Sequence, residues 1–243
     1  MSTLRARMES ALKAVGDKPT DNSAASIKKA YSEKVSQAVA LVIGDELRKR
    51  GLKEARPAPP GLIDASGAER RMAGGIGAKK VDVTWATEES GLLLGISVKT
   101  INFRDKRSKN FQKNLTNRRG DMLFESVTLH RRFPYCVLGG LFFLDKDAAN
   151  DATSSRKSTF ENAHARFGIF AGRDDPEGRD EQYEHFYIVL LDASKSQATY
   201  QVFAVGELAK PVSLESAIED MLKTVAFRNP DFYRYDNGKL KRA

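Results

Sequence analysis

The amino-acid sequence predicts an α/β fold built around one compact domain. Three observations support this fold class: helical and strand-like patterns alternate along the chain, several strand-like segments are almost continuously apolar, and 41% of the 243 residues are hydrophobic. Nearly continuous apolar runs are typical of strands that are covered on both faces. The length and the apolar content suffice for one substantial core.

The chain opens with two helical segments. The first occupies roughly the first twenty residues and ends at GDKPTDNS, where Gly, Pro, Asp and Asn cluster. A longer amphipathic helix starts at Ser23 and stops at Gly51. Its apolar residues recur at helical spacing: Ile27, Tyr31, Val35, Val39, Val42 and Ile43. We therefore predict an N-terminal helical extension over 1–22 and a single α/β domain over 23–243.

A proline-rich connection follows the second helix, and from Glu69 the pattern becomes that of strands. The segment KKVDVTWAT, residues 79–87, alternates between apolar and polar positions. After the turn EESG the chain returns through GLLLGISVKTINF, residues 91–103. Because this second segment is nearly all apolar, we expect it to be a central strand covered on both sides.

The rest of the chain alternates between helix and strand, which completes the α/β pattern. In order, we predict a helical segment over 108–133 in which Gly120 marks a kink or a boundary, a buried strand over 135–145, a helix over 159–171, two strands over 185–193 and 199–206, a helix from Ser213 to Phe227 and a basic tail over 229–243.

Composition argues against several classes of protein. No apolar run approaches the ~20 residues that cross a bilayer, and the start MSTLRARMESALKAVGDKP lacks the apolar segment of a secretory signal. The single cysteine, Cys136, lies in an apolar run and cannot build a disulfide framework or a thiolate zinc cluster. We therefore expect a soluble, cytoplasmic protein with no membrane partner.

Positive charge is concentrated in one segment. The net charge of the chain is +8, which favours a polyanionic partner. Nine basic residues lie between positions 104 and 132: Arg104, Lys106, Arg107, Lys109, Lys113, Arg118, Arg119, Arg131 and Arg132. Asn114 and Asn117 add amides that can read base edges, whereas arginine and lysine suit phosphates. A solvated loop and helix face explains the same charges equally well.

Asp82 and Lys99 occupy the two neighbouring strand segments. Such a pair suits phosphodiester hydrolysis. The carboxylate can hold Mg²⁺, and the ammonium can orient water and offset the charge of the transition state. The alternative is a structural ion pair at a strand edge.

Glu46 follows Val35, Val39 and Val42 at intervals of four, three and four, which places it on the apolar stripe of its helix. A carboxylate buried there needs a partner, and a bound cation or Lys99 would serve. Alternatively, the stripe reaches solvent at the last turn of the helix, and Glu46 needs no partner.

A helix that bears Glu46 comes first, a strand that bears Asp82 follows, and the next strand contains ISVKT with Lys99. A helix and a strand come after these. This order of elements and residues resembles the PD-(D/E)xK nuclease superfamily. Restriction endonucleases are its best-known members. The resemblance covers roughly residues 23–145. It implies a restriction-endonuclease-like αβββαβ core, in which a mixed central sheet is flanked by helices and a divalent metal is held at the strand ends.

By this resemblance Asp82 is the motif aspartate, Lys99 is the motif lysine and Glu46 is the counterpart of the first-helix glutamate. Asp82 and Glu46 are then the implied metal ligands. Two positions depart from the family pattern: Ser97 stands where an acidic residue usually precedes the lysine by two positions, and Val81 replaces the proline before Asp82. A serine hydroxyl can still position a metal-bound water.

The resemblance implies a Mg²⁺-dependent endonuclease, with Mn²⁺ as a substitute, that cleaves double-stranded DNA as a type II restriction enzyme or a related host-defence nuclease. A homodimer is expected by family analogy. The expected catalytic residues are Asp82, Lys99, Glu46 and Ser97, and Glu69 is a further candidate carboxylate. We expect DNA contacts from Arg104, Arg107, Asn114, Asn117, Arg118 and Arg119. Two alternatives stay open: an inactive nuclease fold that only binds nucleic acid, and a subunit whose basic surface docks an acidic protein.

Overall fold

A computed structural model describes residues 2–59, 61, 70–73, 75–194 and 197–243 of the chain. The helices are α1 (Leu4–Ala14), α2 (Ala25–Lys49), α3 (Leu115–His130), α4 (Thr159–Phe167) and α5 (Leu214–Arg228). The strands are β1 (Arg70–Ala73), β2 (Ala78–Val81), β3 (Val83–Thr87), β4 (Gly91–Ile101), β5 (Val137–Asp145), β6 (His185–Ser194), β7 (Gln197–Ala204), β8 (Pro211–Val212), β9 (Tyr233–Asp236) and β10 (Lys239–Arg242). No helix in these ranges is long and apolar enough to cross a membrane.

Six strands form the central sheet in the order β3-β4-β5-β6-β7-β8. The pairs β4–β5 and β5–β6 are parallel, whereas the other three pairs are antiparallel. The parallel pairs require crossover connections, and α3 lies in the connection from β4 to β5 while α4 lies in that from β5 to β6. The sheet is therefore mixed and flanked by helices, and the predicted α/β class is confirmed.

Helices cover both faces of the sheet and create two cores. Residues of α1, α2 and α5 share one hydrophobic cluster with one face of the sheet, and residues of α3 and α4 share a second cluster with the other. This double coverage explains why β4 and β5 are nearly all apolar. Leu4, Met8 and Leu12 place α1 in the first core, so the segment before residue 23 packs with the rest of the domain.

The strand predicted over 79–87 is interrupted at Asp82, where the chain bends between β2 and β3. Val81 packs in the core on the α3 side, whereas Val83 packs in the core on the α2 side. The Asp82 carboxylate accepts a hydrogen bond of 2.7 Å from the backbone N–H of Val98. The Asp82 side chain therefore satisfies the Val98 N–H of β4 just beyond Val83 and Ile96, the last backbone pair of the β3–β4 ladder.

Two other predicted features differ from the structure. Helix α3 runs without interruption through Gly120. A Cβ at that position would meet no atom within 4 Å, so close packing does not require a glycine there. The predicted basic tail contains the antiparallel hairpin β9–β10. Its turn is Asn237-Gly238, with φ values of 46° and 77°, and Asn-Gly is the pair that tight hairpin turns favour.

A buried charge cluster fixes the C-terminal half of α3. The Glu184 carboxylate contacts Arg228 at 2.5 Å, Arg173 at 3.1 Å and Nε2 of His130 at 3.3 Å. Although burial works against it, these partners lower the pKa of Glu184 to about 2, so the carboxylate stays ionised. His130 is the last residue of α3, and the cluster therefore ties this helix to α5 and to the start of β6.

Candidate active site

Asp82 and Lys99 meet at one edge of the sheet. Asp82 stands at the bend that precedes β3, and Lys99 stands near the C-terminal end of β4. The ammonium of Lys99 lies 3.4 Å from Oδ2 of Asp82, although 17 positions separate the two residues in the chain. Both side chains are mostly buried but retain some exposure, at 17% for Lys99 and 12% for Asp82. The two residues are therefore close enough to serve one reacting group.

A second carboxylate, supplied by α3, also contacts Lys99. Oε2 of Glu125 lies 3.5 Å from the Lys99 ammonium. Glu125 belongs to α3, which covers the face of the sheet on which Lys99 projects, and its side chain is only 6% exposed. Lys99 therefore contacts an aspartate from the strand layer and a glutamate from the helix layer at nearly equal distances.

Glu125 was not among the predicted site residues, although the sequence contains a signal for it. Met122, Glu125 and Leu129 are spaced by three and four positions, so Glu125 lies on the apolar stripe of α3. The same reasoning applied to α2 singled out Glu46. Applied to α3, it would have predicted a buried carboxylate with a cationic partner.

Ser97 lies beside this group and is buried. Its relative exposure is 1%, and its hydroxyl makes no hydrogen bond of normal geometry with the described residues. Burial raises the pKa of both Glu125 and Tyr183, and the nearby Ser97 hydroxyl partly offsets that rise. The position where a second carboxylate was expected therefore holds a hydroxyl that faces the carboxylate supplied by α3.

Burial and charge act against each other in this group. Burial alone would lower the pKa of Lys99, but the negative charges of Glu125 and Asp82 outweigh it, and the pKa is raised. Burial is the largest influence on the Glu125 carboxyl and raises its pKa. The negative charge of Asp82 acts in the same direction, whereas the positive charge of Lys99 acts against both. Lys99 therefore keeps its positive charge, and Glu125 holds a proton more readily than an exposed glutamate does.

Asp82 and Lys99 open onto a groove of about 1220 Å³. One wall is the N-terminal half of α2, and the other is the basic segment that follows β4. Basic residues contributed by both walls and by β2 are Lys28, Lys29, Lys80, Arg104, Lys106, Lys113 and Arg118. Glu125 contacts Lys99 but is not among the residues that line the groove. The groove thus combines a carboxylate and a lysine with a strongly positive lining.

The six predicted DNA-binding residues separate into two sets. Arg104, Asn114 and Arg118 line the groove. Arg107 lines a shallow depression next to it, and Asn117 is exposed on α3 outside the groove lining. The guanidinium of Arg119 lies 6.0 Å from the centre of the Phe170 ring, towards the end of α4. Only the first set shares a surface with Asp82 and Lys99.

Glu46 is buried on the apolar stripe of α2, as its spacing predicted, but the structure does not bring it to the groove. It contacts Arg7 of α1, and its other oxygen accepts a hydrogen bond of 2.6 Å from Arg50. Burial works to raise its pKa, but these two arginines outweigh it and the pKa is lowered. Glu46 lies about 20 Å along the helix from Glu33, which does line the groove. The partners of Glu46 are therefore Arg50, at the end of its own helix, and Arg7 of α1, whose position the sequence did not predict.

The donor set at the groove fits an oxygen-seeking divalent ion. Mg²⁺ is commonly held by one or two carboxylates and completes its shell with water and substrate phosphate. Asp82 would hold such an ion from the groove surface, with Glu125 as the second carboxylate beside it. In the part of the chain that the structure describes, no group of three or more His, Cys, Asp or Glu side chains is arranged around a possible metal position. Glu69, the other candidate carboxylate, lies outside the described residues.

Metal binding at this site should depend on pH. Because the pKa of Glu125 is raised, its carboxyl is partly protonated at pH values where an exposed glutamate is fully ionised, and a metal must displace that proton. We expect the affinity for Mn²⁺ to increase as the pH rises through the pKa of Glu125. Calorimetric titration at several pH values would measure the affinity and the released proton. The variant Glu125→Gln should bind more weakly and with a flatter pH dependence. An equal pH dependence in both proteins would contradict the assignment.

Fold and site together define an α/β protein with a mixed six-stranded sheet and a basic groove that contains an aspartate–lysine pair. Comparison of the chain with protein-family models, with curated proteins and with solved structures found no match in any of the three.

Proposed function

We propose that the protein is a divalent-metal-dependent endonuclease of the restriction-endonuclease-like type that hydrolyses phosphodiester bonds in double-stranded DNA. The observation that carries the proposal is the Lys99 ammonium, 3.4 Å from Asp82 and 3.5 Å from Glu125, at a groove with a basic lining. The second carboxylate that the strand motif lacks at Ser97 is supplied by α3. A purely structural ion pair does not require the seven basic residues that line the same groove.

In the proposed reaction, a water molecule releases a proton to solvent as its oxygen attacks the phosphorus, the bond from phosphorus to the leaving oxygen breaks, and the leaving oxygen takes up a proton from solvent. Lys99 donates a hydrogen bond to a non-bridging phosphate oxygen and offsets the charge that grows there in the transition state. Glu125 keeps the Lys99 side chain in place. Bound Mg²⁺ supplies Lewis-acid stabilisation and lowers the pKa of a coordinated water, and Asp82 would hold the ion.

The direct test is a cleavage assay on plasmid DNA. We expect cleavage with Mg²⁺ or Mn²⁺ that stops when a chelator is added. Glu46→Gln is the matched control, because it also removes a buried carboxylate charge but at the α1–α2 contact. This control should lower the free energy of unfolding and retain cleavage at temperatures where it is folded. Inactivity of the wild-type protein on several forms of DNA, with each metal, would refute the proposal.

A nucleic-acid-binding module without catalysis is the second candidate. The observation that favours it is the small donor set: across the described residues, no three metal-binding side chains converge. The two candidates differ in the consequence of changing Lys99. A module that only binds DNA should bind duplex DNA in the presence of metal without cutting it, and Lys99→Ala should leave its DNA affinity unchanged.

The proposal also predicts which arginines contact phosphates. Arg118 lines the groove, whereas Arg119, the next residue, faces the Phe170 ring. Arg118→Gln should weaken binding to all duplexes and lower the slope of log affinity against log salt by about one, because one phosphate contact is lost. Arg119→Gln, the matched control, should leave the slope unchanged. Binding measured by fluorescence anisotropy between low and moderate salt would separate them, and equal slopes for both variants would place the phosphate contacts elsewhere.

Simultaneous cleavage of both strands of a duplex needs two such centres, and the described residues of one chain contain one Asp82–Lys99 centre. A homodimer on DNA is therefore part of the proposal. Analytical ultracentrifugation with and without duplex DNA would test it, and two chains per duplex are expected.

A further inference from the structure

The wall of the groove formed by α2 differs in character from the opposite wall. In the first half of this helix the groove lining includes Lys29, Ser32, Glu33, Ser36 and Gln37. Lys29, the pair Ser32 and Glu33, and the pair Ser36 and Gln37 recur at intervals of three or four positions, so they share one helix face. Lysine accompanies a carboxylate, an amide and two hydroxyls on this face, and the wall is therefore rich in groups that form directional hydrogen bonds.

Glu33 is difficult to explain as part of a surface that contacts only phosphate. Its carboxylate would repel the DNA backbone, and its ion pair with Lys29 spans 3.7 Å between side chains that are 59% and 78% exposed. Exposed pairs of this kind contribute little to stability. A nucleobase is a more favourable contact for this carboxylate than phosphate is, because the amino group of cytosine can donate a hydrogen bond to it.

Gln37 lies one helical turn beyond Glu33 and is also exposed. Its amide both donates and accepts, which matches the two groups that adenine presents in the major groove. One turn of helix advances about 5.4 Å, and consecutive base pairs are about 3.4 Å apart. The two side chains are therefore spaced to reach neighbouring or next-neighbouring base pairs.

The aromatic residues of the groove favour a duplex over a single strand. Proteins that bind single strands without sequence preference stack bases on open aromatic rings. Phe103 lines the groove, but Lys18 and Lys28 lie 5.5 and 5.6 Å from the centre of its ring, and Tyr31 packs edge-on against it. Phe111 is buried. Neither ring offers an open face to a base.

We infer that the groove-facing side of α2 reads base edges of duplex DNA, with Glu33 and Gln37 as the specificity-determining residues. Glu33 accepts a hydrogen bond from cytosine, and Gln37 pairs with adenine. This inference rests on the proposed function, since it names what the same groove recognises. Lys29 and the basic residues of the opposite wall hold the phosphates, and they add affinity without sequence preference.

The test is a binding selection on a randomised duplex library, carried out without metal so that no DNA is cut. The wild-type protein should enrich a sequence that contains cytosine and adenine at fixed positions. Glu33→Gln should relax the preference for cytosine by about 5- to 100-fold, and Gln37→Ala should do the same for adenine. Lys34→Gln is the control, because Lys34 is exposed on α2 but does not line the groove. It should retain the wild-type preference.

Several outcomes would overturn the inference. Wild-type binding without any base preference, or a preference that survives both substitutions, would show that α2 does not read the sequence. Calorimetric titration with Mn²⁺ provides a second arm, since a loss of metal affinity in Glu33→Gln with an unchanged base preference would make Glu33 a metal ligand instead. These results leave the proposed nuclease intact. A wild-type protein that neither binds nor cuts duplex DNA would refute the proposed function itself, and the inference with it.

Discussion

Replacement of Lys99 by alanine should lower the rate of DNA cleavage by about 10²- to 10³-fold, the usual effect of removing one preorganised group that stabilises transition-state charge. The ammonium lies between two carboxylates, which hold it in one position and raise its pKa. Its hydrogen bond to the phosphate strengthens as charge develops, so the loss should appear in the rate of the chemical step rather than in DNA affinity. Asp82→Asn should reduce cleavage at least as much, because it removes the carboxylate that would hold the ion.

Single-turnover cleavage and DNA binding should be measured on the same preparations, together with thermal unfolding. We expect both variants to remain folded and to bind duplex DNA, and Asp82→Asn should bind it somewhat more tightly without metal because a negative charge near the phosphates is lost. Glu46→Gln again serves as the control. Cleavage that survives in Lys99→Ala, or lost cleavage that simply follows lost folding, would contradict the proposed role.

The second large effect concerns the carboxylate supplied by α3. Glu125→Gln should lower cleavage by about 10²-fold or more, since it removes negative charge beside Lys99 and the proposed ion. Ser97 lies on β4 two positions before Lys99, and its hydroxyl acts against the rise in the pKa of the Glu125 carboxyl. A carboxylate placed at Ser97 should therefore take over part of its role, and the double variant Ser97→Asp with Glu125→Gln should cleave faster than Glu125→Gln alone.

A matched control separates charge from shape. Ser97→Asn in the Glu125→Gln background has nearly the size of aspartate but no charge, and it should not restore cleavage. Ser97→Asp alone should lower the free energy of unfolding, because it buries a second carboxylate next to Glu125. Equal cleavage by the aspartate and asparagine double variants would show that the negative charge of Glu125 is not needed.

Local patterns predicted the part of the site that lies within one hairpin. Asp82 and Lys99 are only 17 positions apart, and a single turn brings β3 and β4 together, so alternation and turn residues were sufficient. The bend at Asp82 was not predicted. It follows from a hydrogen bond between the Asp82 side chain and the Val98 backbone, which hydrophobic periodicity does not register.

The contributions of the helices depended on packing over long distances in the chain. Glu125 and Glu46 both lie on apolar stripes, and for each the sequence indicates a buried carboxylate that needs a cationic partner. Which partner each one meets depends on where the helix docks: α3 brings Glu125 to Lys99, whereas α1 brings Arg7 to Glu46. For Glu46 one cationic partner is local, since Arg50 follows it by four positions, but nothing local to either helix indicates Arg7 or Lys99. The C-terminal hairpin, in contrast, could have been predicted locally. Asn237-Gly238 is a turn signal in the sequence, but the segment 229–243 was predicted only as a basic tail.

The central claim is that Asp82, Lys99 and Glu125 form one metal-dependent centre, and a crystal structure of the protein soaked with Mn²⁺ tests it most directly. We expect an anomalous-scattering peak within coordination distance of the Asp82 carboxylate, with Glu125 as the second carboxylate beside the ion and Lys99 adjacent to it. A saturating soak that leaves Asp82 without an ion, or that places the ion at another set of carboxylates, would contradict the account.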